Sequence, residues 1–307
     1  MILKTFELLK KEANSMDSVV LDDVQLKRLQ QFLTNMLGEI IEKFEEKNIQ
    51  YFLCGGTALG AVRHKGFIPW DDDIDIFMSR ENYNRLEKEF TTMFGEKYIL
   101  CSPNQNSEGL PMPRIRDCNS VVKTVMEVDK EHQGAFCDIF ILENTYNNPV
   151  LRVLHGIFCD FCGLIASSRR IYEERNIYKK YYRGSKKVMR AIRIKSAIGY
   201  CVSFLSVEKW VQLTDKCYSM CKDNHSKKVS CPTGRKHYFG EMYLRKDICV
   251  PRKAEFEGNL WDIPDNVEMY LKRLYGNYMQ IPDEGKRERH SVLELKLGDY
   301  NFACSKH

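Results

Sequence analysis

Between Tyr51 and Phe77 the chain reads YFLCGGTALGAVRHKGFIPWDDDIDIF, and the acids Asp71, Asp73 and Asp75 recur at every second position. In a strand, residues two apart project to one face with Cα atoms roughly 6.5–7 Å apart. Ile74 and Ile76 would then point the other way, into a core. Such carboxylates can converge on one divalent ion or straddle two, and without a cation they would repel one another. A run of three aspartates alone also describes a solvated acidic loop; alternation with isoleucine is what points to a strand. Further on, Asp138 is the only charge in the apolar run GAFCDIFIL. A lone carboxylate there is costly unless a metal, an arginine or backbone amides receive it.

Phosphate is the natural substrate chemistry for such a set. Gly55-Gly56-Thr57 joins an expected strand to an expected helix. Glycines admit close approach to the backbone, and a helix N-terminus offers free amides and the positive end of its dipole. The triplet is neither a dinucleotide-binding GxGxxG nor a Walker A loop. Arg63, His64 and Lys65 follow and either neutralise phosphates or form an exposed turn. Arg114 and Arg116 alternate on another expected strand, as phosphate grips or as surface ion pairs.

Positioning these groups requires a core. Apolar residues from Leu26 to Phe44 recur at helical spacing over 22–47, and short strands are expected at Tyr51–Cys54 and Asp73–Met78. Between them Thr57–His64 reads as a brief helix, and Ser79 can cap another running to about Phe90. Strands are expected at Tyr98–Cys101, Met112–Arg116, Val121–Glu127, Phe136–Leu142, His237–Leu244 and Ile248–Val250. Asp265 with Glu268 predicts a capped helix reaching Tyr275. The expected fold class is α/β (α+β), a mixed sheet with helices and a helical insertion. The catalytic core and its N-terminal helices would occupy 1–148, the insertion 149–228, and the completing part 229–307.

The 307 residues, 43% hydrophobic and 29% charged, describe an ordinary soluble globular chain. No run of about 18 uninterrupted apolar residues predicts a membrane-spanning helix. The N-terminus lacks a secretory pattern, so the twelve cysteines read as reduced thiols in a cytoplasmic protein. Cys159 and Cys162 form a CxxC and Cys217 and Cys221 a CxxxC, spacings that fit no common zinc pattern and read as buried thiols. Charge is uneven: Arg169–Lys195 holds eleven Lys/Arg against Glu173 and Glu174, a net +9 in a chain of formal charge +5. Within Val150–Ala166 a narrow polar stripe (Arg152, His155, Cys159 or Asp160, Gly163) runs beside a wide apolar face. With the basic residues, 150–205 could hold an anionic membrane surface, or could pack on the core as a solvated basic helix. No nucleic-acid-binding motif accompanies the charge, and no nucleic-acid partner is expected.

The stretch from Gly55 to Ile76, with GTALGAVRHKGFIPWDDDIDI nearly intact, resembles the LicD family of phosphocholine transferases, which includes the fukutin-related proteins. Weaker echoes follow in PRIRD (Pro113–Asp117), CDIF (Cys137–Phe140) and FEGNLWDIP through YLKRLYGNY (Phe256–Tyr278). Ala58 stands where many members carry a larger apolar residue. The resemblance implies a nucleotidyltransferase-type fold with Mg²⁺, or Mn²⁺, on Asp73, Asp75 and Asp138, and with Asp71 beside them. It further implies transfer of phosphocholine or a related phospho-alcohol from CDP-choline or another CDP-alcohol. The acceptor would be a hydroxyl of a lipid-linked cell-surface glycan (lipopolysaccharide, teichoic acid or capsule precursor), at the inner face of the cytoplasmic membrane. Asp138, Asp71 or His64 would take the acceptor proton, and Trp70, Tyr238 and Trp261 are candidates to cage a quaternary ammonium. Two other classes share the acidic pattern: a glycosyltransferase using a nucleotide sugar, and a non-catalytic cation-binding membrane adaptor.

Overall fold

The computed structural model describes residues 9, 21–124, 131–287 and 292–298. The fold is α/β. Helix α1 (Asp23–Glu46) starts at Asp22, which forms a reciprocal capping box with Gln25, and buries one stripe from Leu26 to Phe44. Strand β1 (Phe52–Leu53) leads into α2 (Gly55–His64), which begins two residues before the expected Thr57. Strand β2 (Ile74–Ser79) is followed by α3 (Arg80–Phe94), capped by Ser79 through the Asn82 amide and one turn longer than expected. Next come β3 (Tyr98–Cys101), β4 (Arg114–Asp117), β5 (Val121–Thr124) and β6 (Phe136–Asn144). The end of the strand expected at Val121–Glu127 lies outside the described residues.

The sheet runs β1-β2-β6-β4-β3, with β2 and β6 parallel and their neighbours antiparallel. The central strands are largely apolar and pack one face into the core. Ile74, Ile76 and Met78 share a core with Ile139, Ile141 and the apolar faces of α1 and α3. The opposite face of the same strands carries Asp75, Phe77, Asp138 and Phe140, and it opens on a cavity.

Four helices follow: α4 (Pro149–Glu173), α5 (Arg175–Tyr181), α6 (Lys186–Cys201) and α7 (Val207–Tyr218). Strand β7 (Lys228–Ser230) then pairs with the end of β6. His237–Leu244 is not one strand: a helical turn, α8 (His237–Gly240), precedes β8 (Met242–Leu244). Ile248 likewise ends a short helix, α9 (Arg245–Ile248), so no strand spans Ile248–Val250. Strands β9 (Pro251–Phe256) and β10 (Asn259–Pro264) form a hairpin through Glu257 (φ 49°) and Gly258 (φ 75°), the paired positive angles of a tight turn that matches strand twist. Its tip holds the loop after α2: Glu257 accepts from the Phe67 amide at 2.9 Å. Helix α10 (Val267–Tyr275) is capped by Asn266 rather than Asp265, through the Met269 amide, and β11 (Val292–Lys296) pairs with β5.

The long helix α4 departs from the sequence expectation in two ways. Its most apolar 18-residue window has mean hydropathy 1.6, so by length and composition alone it could cross a membrane. The interspersed polar residues had hidden that. Its polar stripe also faces inward: His155, Gly156 and Cys159 are buried, while Val150, Leu154, Ile157, Phe158 and Phe161 are exposed. The basic segment is similarly divided. Arg169, Arg170 and Lys195 are buried, and Arg169 and Arg170 pair with Glu173 and Glu174 one turn on.

Candidate active site

Strand register builds the centre of the site. Asp75 on β2 lies opposite Asp138 on β6, which lies opposite Arg114 on β4, so three charged residues form one row across the sheet. Arg114 donates to both Asp138 oxygens, from Nε at 2.6 Å and Nη2 at 3.0 Å. This bidentate pair compensates the burial of Asp138, the arginine alternative that the residues left open. Arg116 is fully buried and donates to Glu108 and to the Gly134 carbonyl. Neither arginine forms a surface ion pair, and neither lines the cavity.

Asp71, Asp72 and Asp73 precede β2 in a loop, so strand alternation is not what brings them together. The Gln30 side chain on α1 holds that loop by donating to the Asp71 carbonyl at 2.9 Å. Carboxylate oxygens of the three acids lie within 4.8 Å of one another, and Asp72 and Asp73 are buried. Asp72, passed over in the alternation, thus joins the cluster. An all-oxygen set of this kind fits a hard divalent cation, Mg²⁺ or Mn²⁺.

The double glycine belongs to the same construction. A Cβ on Gly55, whose φ is +54°, would stand 2.3 Å from Asp75 Oδ2, and one on Gly56 would stand 2.6 Å from Asp71 Oδ2. The space a side chain would fill is therefore occupied by two carboxylates at the positive end of α2. Thr57 Oγ1 accepts from the Asp75 amide at 2.9 Å, and Tyr270 OH accepts from the Gly55 amide at 2.8 Å. Of the basic triplet, only Arg63 lines the cavity, anchored by donation to the Tyr278 carbonyl. His64 accepts from Arg63 and lies outside, and burial, then Arg63, lowers its pKa. Lys65 is an exposed helix C-cap paired with Glu255.

A cavity of about 570 Å³ gathers Asp71, Asp72, Asp73, Asp75 and Asp138 beneath residues from the helical segment and the C-terminal part. Trp70 lines it with Arg287 stacked 4.4 Å from its ring centroid, whereas Tyr238 and Trp261 are core aromatics that do not reach it. Sequence reasoning missed three cations on its walls, Lys195, Arg235 and Arg287. Lys195 had counted only as one of a basic run. It is buried and donates to Ser167 at 2.9 Å, and desolvation lowers its pKa to about 8. No local pattern marks any of the three.

Glu241 lines the same cavity, its carboxylate packed over Gly234 and accepting from the Lys236 amide at 2.9 Å. Burial raises its pKa to about 7 from 4.5. The folded chain therefore keeps this proton where the unfolded chain has lost it. The contribution of this group to stability is expected to fall as pH rises from about 4.5 to 7, by ~3 kcal/mol, and to be level above. Glu241→Gln is expected to abolish most of that slope and to raise the urea midpoint at pH 8 more than at pH 5. Equal shifts at both pH values would mean that the buried carboxyl is not the titrating group.

Residues 48–147 match the family described as LicD/FKTN/FKRP, nucleotidyltransferase domain. Over 280 residues, 89% of this chain and 98% of the relative, the sequence is 27% identical to lipopolysaccharide cholinephosphotransferase LicD of Haemophilus influenzae. An uncharacterized protein of Rickettsia typhi is 40% identical over 97 residues, 27% of this chain and 31% of its own length. Human ribitol 5-phosphate transferase FKRP is 37% identical over 49 residues, 16% of this chain and 10% of its own. The matched segment runs from the strand before the glycine turn to just past Asp138, the part that builds the acidic row, and over it the chain is similar to the LicD/FKTN/FKRP nucleotidyltransferase domain.

Proposed function

We propose that this chain transfers phosphocholine, or a related phospho-alcohol, from a CDP-linked donor to a hydroxyl of a cell-surface glycan and releases CMP. The observation that carries the reading is the gathering of Asp71, Asp72, Asp73, Asp75 and Asp138 at one cavity, within a chain that aligns along nearly the whole of a lipopolysaccharide cholinephosphotransferase. Asp73 and Asp75, with Asp71 and Asp72 adjoining, would hold Mg²⁺ or Mn²⁺, which when bound supplies charge neutralisation at the donor diphosphate. Arg63, Lys195, Arg235 and Arg287 surround the cavity and would meet phosphate oxygens, so most of the catalysis is positioning and electrostatics.

The acceptor oxygen attacks the phosphorus that carries choline, the bond to CMP breaks, and the acceptor proton passes to a carboxylate. Among the candidate bases, His64 lies outside the cavity and Asp138 already accepts from Arg114 through both oxygens. The role therefore falls to Asp71. A quaternary ammonium would be received by Trp70, Tyr275 and Tyr278, which line the cavity. Work at the inner face of the cytoplasmic membrane suits the exposed apolar side of α4, since contiguous exposed apolar surface marks an interaction site.

Calorimetry of CDP-choline binding with Mg²⁺ tests this, on the wild type and on Asp73→Ala with Asp75→Ala, together with ³¹P NMR of the glycan product. The expected result is metal-dependent binding lost in the double variant and a phosphodiester on the glycan. Tight UDP-sugar binding with a new glycosidic bond would replace the proposal by glycosyl transfer. Cation binding with no nucleotide affinity would leave only the adaptor reading.

A further inference from the structure

The two cysteine pairs left aside as buried thiols come together in space. His155, Cys159 and Cys162 occupy one stripe of α4 at spacings of four and three, and Cys217 stands in the last turn of α7. Ligand atoms of His155, Cys159 and Cys217 all lie within 4.8 Å of one another. His155 Nε2 is 3.3 Å from Cys159 Sγ, and the Cys159 and Cys217 sulfurs are 3.8 Å apart. Cys162, one turn further along α4, packs beside the same cluster.

We infer that His155, Cys159 and Cys217, with the adjacent Cys162 as fourth ligand, bind a zinc-class divalent cation that pins α4 to α7. A tetrahedral zinc with bonds of about 2.3 Å to sulfur and about 2.0–2.1 Å to nitrogen requires S···S edges of roughly 3.8 Å and S···N edges of roughly 3.6 Å. The observed separations are close to both, and 3.8 Å is far beyond the ~2.05 Å of a disulfide. Two packed thiols alone could share that sulfur spacing. The convergence of an imidazole nitrogen on the same point distinguishes the cluster. Tyr238 OH faces the other ring nitrogen, Nδ1, at 3.4 Å, the place of the outer partner that orients a metal-bound histidine. Nε2 also lies 2.8 Å from the Cys217 carbonyl oxygen, so metal binding requires the ring to give up that contact and turn toward the sulfurs.

Loading releases the three thiol protons to solvent and leaves three thiolates and a neutral imidazole, the Cys₃His set of structural zinc sites. Thiolate and imidazole do not compete with the carboxylates for Mg²⁺, because the two donor sets differ in softness. The site has a consequence for the cavity. Asp160, Gly163, Leu164 and Ser167 on α4 and Tyr218 on α7 form its wall, so a metal joining these helices fixes that wall in place. The inference stands independently of the substrate proposed above.

The test is elemental analysis of untagged protein purified without chelator, paired with Co²⁺ substitution. The wild type is expected to carry about one zinc per chain and, with Co²⁺, to show a thiolate charge-transfer band and strong tetrahedral visible bands. Cys159→Ser with Cys217→Ser should lose both signals. Cys201→Ser, at an exposed cysteine, and Asp73→Asn with Asp75→Asn should keep them. If the double cysteine variant fails to fold, the wild-type Co²⁺ spectrum decides alone. A zinc-free wild type with no thiolate band, or zinc retained without Cys159 and Cys217, would overturn the inference.

Discussion

Asp75→Asn is expected to lower phosphotransfer by about 10³-fold or more, ~4 kcal/mol of transition-state stabilisation. Several features converge on this residue. It occupies the sheet row beside Asp138, its carboxylate packs against Gly55, and its amide is held by Thr57. Asparagine preserves the shape and removes one charge from a crowded acidic cavity. Like charges in such a set destabilise the folded chain, so urea stability measured without divalent ions should stay level or rise while activity falls. Asp265→Asn, at an exposed position away from the cavity, should change neither. An activity loss of less than about tenfold would remove Asp75 from the catalytic centre.

The second large effect concerns stability. Arg80, at the start of α3, is buried against Glu143 on β6 and Asp215 on α7. Its Nε donates to Glu143 at 3.0 Å and its Nη2 to Asp215 at 2.8 Å. One guanidinium thus joins the central sheet to the helical segment that walls the cavity. Arg80→Met would leave two buried carboxylates without their cation, a loss of about 3–5 kcal/mol in urea unfolding at pH 7. The sign with pH is set by those carboxylates. Burial already raises the Glu143 pKa even with Arg80 present, so in the variant the penalty should shrink as pH falls and Glu143 protonates. Adding Glu143→Gln and Asp215→Asn to Arg80→Met should restore most of the loss. A cost below about 1 kcal/mol, the range of exposed pairs, would show that the triad is well solvated.

Residue pattern alone determined much of this protein. Helical periodicity identified α1 and its buried stripe, and Ser79 marked the start of α3. Alternating acids and isoleucines announced β2, and the glycine turn with the DDDID run carried the resemblance to the LicD family. These signals are local, because a helix face, a cap or a strand face is set within a few residues. Short elements escaped where local signals conflicted. His237–Leu244 divides into a helical turn and a strand, and the β9–β10 hairpin rests on a turn through Glu257, a residue type that seldom takes positive φ.

What only the tertiary structure decided depends on register and on which side of an element meets protein. The pairing of Asp138 with Arg114 joins residues 24 apart through strand register, and no spacing rule anticipates it. Loop placement, not strand alternation, gathered Asp71, Asp72 and Asp73, while Lys195, Arg235 and Arg287 reach the cavity from distant segments. Periodicity revealed the polar stripe of α4 but not its direction. The stripe turns inward because His155 and Cys159 meet Cys217 and Tyr238, and Asp160 accepts from the Tyr238 amide, which leaves the apolar side outward. A one-dimensional pattern specifies which residues share a face, and only packing specifies what that face touches.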